Sequence, residues 1–144
     1  MEHFKQSLSS KRFSKEKRDS LVKVLEKQYE GYEGEEVKAN IQKLRHSKTF
    51  TVTTGHQLNL MTGPAYFIYK IVSTINLAEK LKNENPDYHF VPVYWMATED
   101  HDFAEINHFY FDGKNYEWET DQTGAVGEFV LDEPLKKLIR EINM

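Results

Sequence analysis

Thr49-Phe50-Thr51-Val52-Thr53-Thr54-Gly55-His56-Gln57-Leu58-Asn59-Leu60-Met61-Thr62-Gly63-Pro64 decides the fold. Its first six residues are β-branched or aromatic and free of Gly and Pro, as a pleated strand prefers. They run into a loop holding two glycines, a histidine and two amides. Pro64 then sits where a first helical turn tolerates a missing N–H. Beyond it, Phe67, Ile68, Ile71, Ile75, Ala78 and Leu81 recur at helical spacing, which predicts a helix to about Lys82. A strand that feeds such a loop into a helix N-terminus points free backbone N–H groups at the loop and favours an anionic ligand. An ordinary βα connection has the same outline, but seldom this length or chemistry.

After a turn cluster, Asn83 to Asp87, comes His89-Phe90-Val91-Pro92-Val93-Tyr94-Trp95-Met96, a nearly continuous apolar run. It suits a strand buried on both faces, as in a parallel sheet flanked by helices, with Pro92 at a bulge or an edge. Strand, helix, strand predicts a right-handed parallel crossover, the first half of a Rossmann-like sheet.

Upstream, Leu21, Val22, Leu25, Tyr29 and Tyr32 fall on one side of a helix that begins after Ser14. Gly31 and Gly34 interrupt it, and Val37, Ile41 and Leu44 mark a shorter second helix. Lys and Glu fill the outer faces. The basic residues Lys11, Arg12, Lys15, Lys17 and Arg18 are balanced by nearby acids. Downstream, Phe109 to Phe111 and Tyr116 to Trp118 flank Asp112-Gly113-Lys114-Asn115, a hairpin signal. Gly127 to Leu131 reads as a third short strand. Asp132 or Glu133 can cap a last helix with Pro134 in its first turn and Leu135, Leu138, Ile139 and Ile142 on one side. The organisation expected is therefore α/β in three parts: N-terminal helices over 1–48, a β-α-β unit over 49–108, and a β-hairpin insertion with the start of a connecting region over 109–144.

At 144 residues, 39% hydrophobic and 13% aromatic, the chain can bury a core. A net charge of −4 argues against a general nucleic-acid footprint. The absence of cysteine excludes disulfides, a thiolate zinc site and a cysteine nucleophile on this chain. No apolar run approaches the ~20 residues that span a bilayer and no signal-peptide pattern opens the chain, so a cytoplasmic protein is the default expectation.

Chemistry concentrates after the second strand, in Glu99-Asp100-His101-Asp102, with Glu105 and His108 beyond. Ligands of open α/β sheets bind at the carboxyl ends of the strands, and both polar loops lie at such ends. Crowding three carboxylates and an imidazole is costly, because like charges raise one another's pKa. Such a run can hold magnesium or a bound amine, or orient His101 as a general base. Asp102 is also placed to cap a short helix through Asn107. Glu105-Ile106-Asn107-His108 has the spacing of di-iron bundle ligands, but the partner motif and further glutamates that such sites need are missing, so no metal site is read there. Lys70, two turns past Pro64, can point back towards the first loop.

Together, Thr54-Gly55-His56-Gln57, Thr62-Gly63-Pro64-x-Tyr66-x-x-Tyr69-Lys70 and the run from Val91 to Asn107 resemble the cysteine-adding enzymes of bacillithiol biosynthesis, the cysteine ligase family. Where this chain has His56 the family's pattern carries Gln, which shifts weight to Gln57. The resemblance implies a cytoplasmic bacterial enzyme that joins cysteine to glucosaminyl-malate. Its fold would be a Rossmann-like core similar to nucleotidyltransferases, with a coiled coil that supports a homodimer. A nucleotide site for ATP or ADP is implied with it. Carried over, Thr54, Gly55, His56, Gln57, Thr62, Gly63 and Lys70 would line the pocket, and Glu99, Asp100, His101 and Asp102 would form its facing, catalytic wall. His101 or Asp100 would take the amine's proton, and N–H groups at Gly63 would meet developing negative charge. Family members are several times longer, so the resemblance also implies an N-terminal piece, inactive alone. Two other readings stay open: a nucleotidyltransferase-like adenylyl transfer, and a degenerate or truncated paralogue serving as a non-catalytic interaction module.

Overall fold

Helix, helix, helix, strand, helix, strand is the order in which the chain begins in a computed structural model, which describes residues 2–61 and 63–142. These are α1 (Glu2–Ser10), α2 (Lys15–Gln28), α3 (Glu35–Lys43), β1 (Thr49–His56), α4 (Ala65–Glu84) and β2 (His89–Met96). There follow α5 (Phe103–Ile106), β3 (His108–Phe111), β4 (Lys114–Glu117), a 3-10 turn at Val126–Glu128, and α6 (Glu133–Ile142). The chain divides into two units, residues 1–52 with 76–92, and residues 53–75 with 93–144. β1, α4 and β2 each contribute to both.

β1 and β2 pair in a two-stranded sheet. In the first unit His89 N–H donates to Lys48 O (3.0 Å); in the second, Ala97 N–H donates to His56 O (3.1 Å). The two bonds advance by the same number of residues in the same direction along both strands, which makes the pair parallel, joined through α4 as the crossover requires. β3 and β4 form a separate antiparallel hairpin with Phe109 opposite Tyr116 and Phe111 opposite Lys114. Its turn is the two residues Asp112 and Gly113, both with positive φ (49° and 72°), tighter than the four-residue turn expected. No described helix is long and apolar enough to cross a membrane.

In the first unit, Leu8, Val22, Ile41, Leu44, Ala78 and Val91 are buried, Val22 with 0% exposure. Ser14 caps α2 by accepting Lys17 N–H, as the sequence suggests. Two features differ from expectation. α1 precedes the first helix that was read, and its Leu8 supplies the burial that fixes it. Arg18, one of the basic residues expected to be balanced by nearby acids, is only 8% exposed and donates to Leu44 O, Ser47 O and Thr49 O. Those carbonyls end α3 and start β1, where helical partners run out, and a guanidinium fork satisfies several acceptors at once.

In the second unit, Thr74, Ile106, Trp118, Val126 and Leu135 are buried, and Phe103, Trp118 and Phe129 pack ring against ring at 5.1–6.2 Å between centroids. The third strand expected at Gly127 to Leu131 does not form. Val126 N–H goes to Asp100 O (2.8 Å) and Gly127 N–H to Thr98 O (2.9 Å), so these donors serve the loop after β2 rather than a ladder. A Cβ at Gly127 would lie 2.8 Å from Thr98 O, which explains a glycine at that close approach. Asp132 caps α6 by accepting Leu135 N–H (3.0 Å) and also takes Trp118 Nε1–H (2.8 Å).

Two burial expectations need correction. Of β2 only Val91 is buried, while Trp95 and Met96 are exposed. On α4 the inward stripe runs through Phe67, Ile71, Thr74 and Ala78, leaving Ile68 and Ile75 exposed. In a two-stranded sheet both strands are edges, with no flanking strand to shelter the side chains beside them.

Candidate functional site

β1 runs two residues beyond its expected end, so Gly55 and His56 belong to the strand and the loop proper starts at Gln57. Gly55 packs against β2 here: a Cβ at that position would lie 2.9 Å from Trp95 O and 3.1 Å from Trp95 Cβ. That close approach brings the loop after β1 beside the loop after β2.

Gln57 joins the two loops. Its Nε2 group donates one hydrogen to Asp100 Oδ2 (2.8 Å) and the other to Glu105 Oε2 (3.0 Å). Two carboxylates are thereby held around one amide, whose hydrogens offset their mutual repulsion. Gln57 Oε1 is buried and has no hydrogen-bond partner among the described residues. A buried acceptor in that state is suited to a ligand N–H.

Asp100 also organises its own loop. Its Oδ1 accepts His101 N–H (2.7 Å) and Asp102 N–H (3.1 Å). The Asp102 N–H, with help from His101 N–H and the Gln57 amide, holds the Asp100 carboxyl below the usual carboxylate range against an opposing desolvation cost. Asp102 is the N-cap of α5, accepting Glu105 N–H (3.3 Å), as the capping alternative foresaw. Glu99, His101 and Asp102 are exposed.

His56, with a side chain only 6% exposed, lies inside the cluster. Its Nε2 meets the Tyr66 hydroxyl (2.5 Å), with Glu105 Oε1 at 3.8 Å. Its Nδ1 lies 3.2 Å from both Gln57 O and Asn59 Nδ2. Lys70 does point back: its Nζ donates to Gly55 O (3.2 Å) and stands 5.3 Å from the centre of the Tyr66 ring. Thr54 is half-buried on β1. Thr62 lies outside the described residues.

Gly63 adopts positive φ (59°) and donates its N–H to Leu60 O (3.0 Å), closing the turn before α4. That N–H is therefore not free to meet negative charge, contrary to the role the resemblance implied. Glu105, Tyr66 and Asn59 are drawn into the cluster although none was singled out as a site residue. Tyr66 was findable, since a residue in the first turn of a helix reaches back over the loop before it. Glu105 stands in the stretch where chemistry was expected, but its pairing with Gln57, 48 positions away, could not be read along the chain.

Among the described residues no group of three or more His, Asp or Glu side chains is placed to hold a metal ion. Magnesium commonly needs only one or two carboxylates when phosphates supply the rest, a donor set that Asp100 and Glu105 can provide.

Comparison with known proteins places this geometry in context. The model of the family "Bacillithiol biosynthesis BshC, N-terminal Rossmann-like domain" matches residues 1–144. A Flavobacterium psychrophilum protein named "Putative cysteine ligase BshC" is 56% identical over 131 residues, 88% of this chain and 25% of its own length. Proteins of the same name from Flavobacterium johnsoniae and Cytophaga hutchinsonii are 52% identical over 130 residues and 57% identical over 113. They are covered over 25% and 22% of their lengths, by 88% and 78% of this chain. The chain thus spans about a quarter of the length of the curated relatives it matches.

Proposed function

The chain belongs to the bacillithiol biosynthesis BshC family, as its Rossmann-like N-terminal domain, and from that premise we propose that it carries the amide-forming pocket of a cysteine ligase. The reaction is the addition of cysteine to the amine of glucosaminyl-malate. One observation carries the reading: the Gln57 amide bridges Asp100 and Glu105, so the loops at the carboxyl ends of two parallel strands share one polar cluster.

Forming an amide requires an amine that has lost its proton and a carboxyl that has been activated. Asp100 stays ionised and attracts the amine while it is still an ammonium; Glu99 and Asp102 add to that negative field. Gln57 Oε1 accepts an amine N–H and fixes its direction. His101, exposed beside Asp100, takes the departing proton as a general base. Thr54, Gly55, His56, Gln57, Gly63 and Lys70 form the opposite wall.

ATP or ADP suits this wall. α4 is long enough to present a full N-terminal dipole, and Lys70 supplies a cation over the loop. The residues that would hold the phosphates are Ala65 and Tyr66, through the main-chain N–H groups of the first turn of α4, with Lys70. When bound, such a nucleotide supplies the activation of the cysteine carboxyl, and magnesium on Asp100 and Glu105 would balance its charge. The whole protein is proposed to act in the cytoplasm as a homodimer on small-molecule substrates.

Mass spectrometry of the whole protein that carries this domain, incubated with cysteine and glucosaminyl-malate, with and without ATP, tests the reading. Appearance of the cysteinyl amide supports it. Absence of that product under both conditions overturns it.

A further inference from the structure

An amide-forming pocket must also meet the negative charge that develops on the acyl oxygen when the amine attacks. With the Gly63 N–H committed to Leu60 O, the donor must come from elsewhere. The inference that follows rests on the function proposed above.

Tyr66 is 44% exposed, so its hydroxyl is held at one side by His56 yet reachable by a ligand. A phenol has one hydrogen. If Tyr66 spends it on His56, nothing remains for a ligand; if His56 donates to Tyr66, the hydrogen is free. The Glu105 carboxylate, 3.8 Å from Nε2, decides between these by favouring a proton there. At the other end, His56 Nδ1 lies 3.2 Å from both the Gln57 carbonyl oxygen and Asn59 Nδ2, so in that state it accepts from the Asn59 amide. His56 therefore carries its hydrogen on Nε2 and gives it to Tyr66 Oη. Lys70, 5.3 Å from the Tyr66 ring centre, adds positive charge on the same side.

We infer that the Tyr66 hydroxyl, oriented by His56 and flanked by Lys70, is the hydrogen-bond donor for the oxyanion that forms on the acyl carbon. Tyr66 is the group that touches the reacting atoms, and His56 is a positioning residue. No proton is transferred in this role; the hydrogen bond strengthens as the oxygen gains charge.

The test is steady-state kinetics of cysteine addition by the whole protein with Tyr66→Phe, His56→Leu and His56→Gln, together with nitrogen NMR of the His56 ring. Removing one oxyanion donor typically lowers kcat by about 10²-fold. That fall is expected for Tyr66→Phe with KM for the amine nearly unchanged, and a similar fall for His56→Leu. His56→Gln, whose amide can still donate to Tyr66, should recover most of the rate. An Nε2-protonated ring in the wild-type protein supports the assignment, and an Nδ1-protonated ring overturns it. A wild-type protein that adds cysteine with no change in kcat on Tyr66→Phe removes this inference and leaves the proposed function standing. A wild-type protein that adds no cysteine removes both.

Discussion

Gln57 and Asp100, 43 positions apart in the chain, meet through a 2.8 Å hydrogen bond between side chains at the ends of two parallel strands. The amide is neutral and gives hydrogens to two carboxylates, so its replacement by a third carboxylate reverses the arrangement. Gln57→Glu should open the cluster by repulsion. A displacement of about 1 Å costs a catalytic site on the order of 10²-fold, and a loss of that size in cysteine addition is expected. Near wild-type turnover by this variant would contradict the placement of Gln57 in the site.

The pH behaviour of Asp100 follows from its partners. Asp102 N–H leads the groups that hold its carboxyl below the ordinary aspartate value of 3.8 in the folded state. A group whose folded pKa is depressed contributes stability that is present above the unfolded pKa and is lost as pH falls through the folded one. The loop from Thr98 to Asp102 should therefore hold at neutral pH and loosen only below about pH 3.8. Carboxyl carbon NMR across an acid titration reads this directly, and a midpoint above 3.8 for Asp100 would refute it.

Gly55→Ala should weaken the pairing of β1 with β2. The added Cβ meets a main-chain oxygen at 2.9 Å, and backbone in a ladder cannot turn aside as a side-chain tip can. Overpacking of this kind costs about 1–3 kcal/mol. Urea unfolding of the variant measures it, and an unchanged midpoint would show that the two strands separate easily at this point.

Arg18→Met should be more damaging than its place in a basic run suggests. Methionine replaces the stem but leaves the carbonyls of Leu44, Ser47 and Thr49 without their donor. One buried acceptor left unsatisfied costs about 1–3 kcal/mol. A destabilisation at or above the upper end of that range is expected in chemical denaturation, with helix content below the transition unchanged. A loss under 1 kcal/mol would mean that water replaces the guanidinium.

Much of the fold could be read along the chain because it is encoded over short separations. Ser14 caps α2, Asp112-Gly113 turns the hairpin, and Pro64 marks the start of α4, each through conformational preferences of a few neighbouring residues. β2 was placed to the residue by its bounding polar positions. The strand expected at Gly127 to Leu131 failed for the opposite reason: the N–H groups of Val126 and Gly127 are claimed by Asp100 and Thr98, and no local pattern announces such distant acceptors.

The candidate site divides in the same way. The sequence alone determined which residue types stand at the ends of β1 and β2, because strand propensity, glycine and charge crowding are properties of short stretches. It also determined the crossover that brings those ends to one side, since a helix of this length between two strands demands it. Only the tertiary structure decided which groups are spent and which remain available. Gly63 N–H closes a turn, Asp102 caps a helix, Arg18 holds three carbonyls, and Glu105 joins Gln57 and His56. The physical reason is that a hydrogen has one place to go, and the competition for it is settled between residues that meet only after folding.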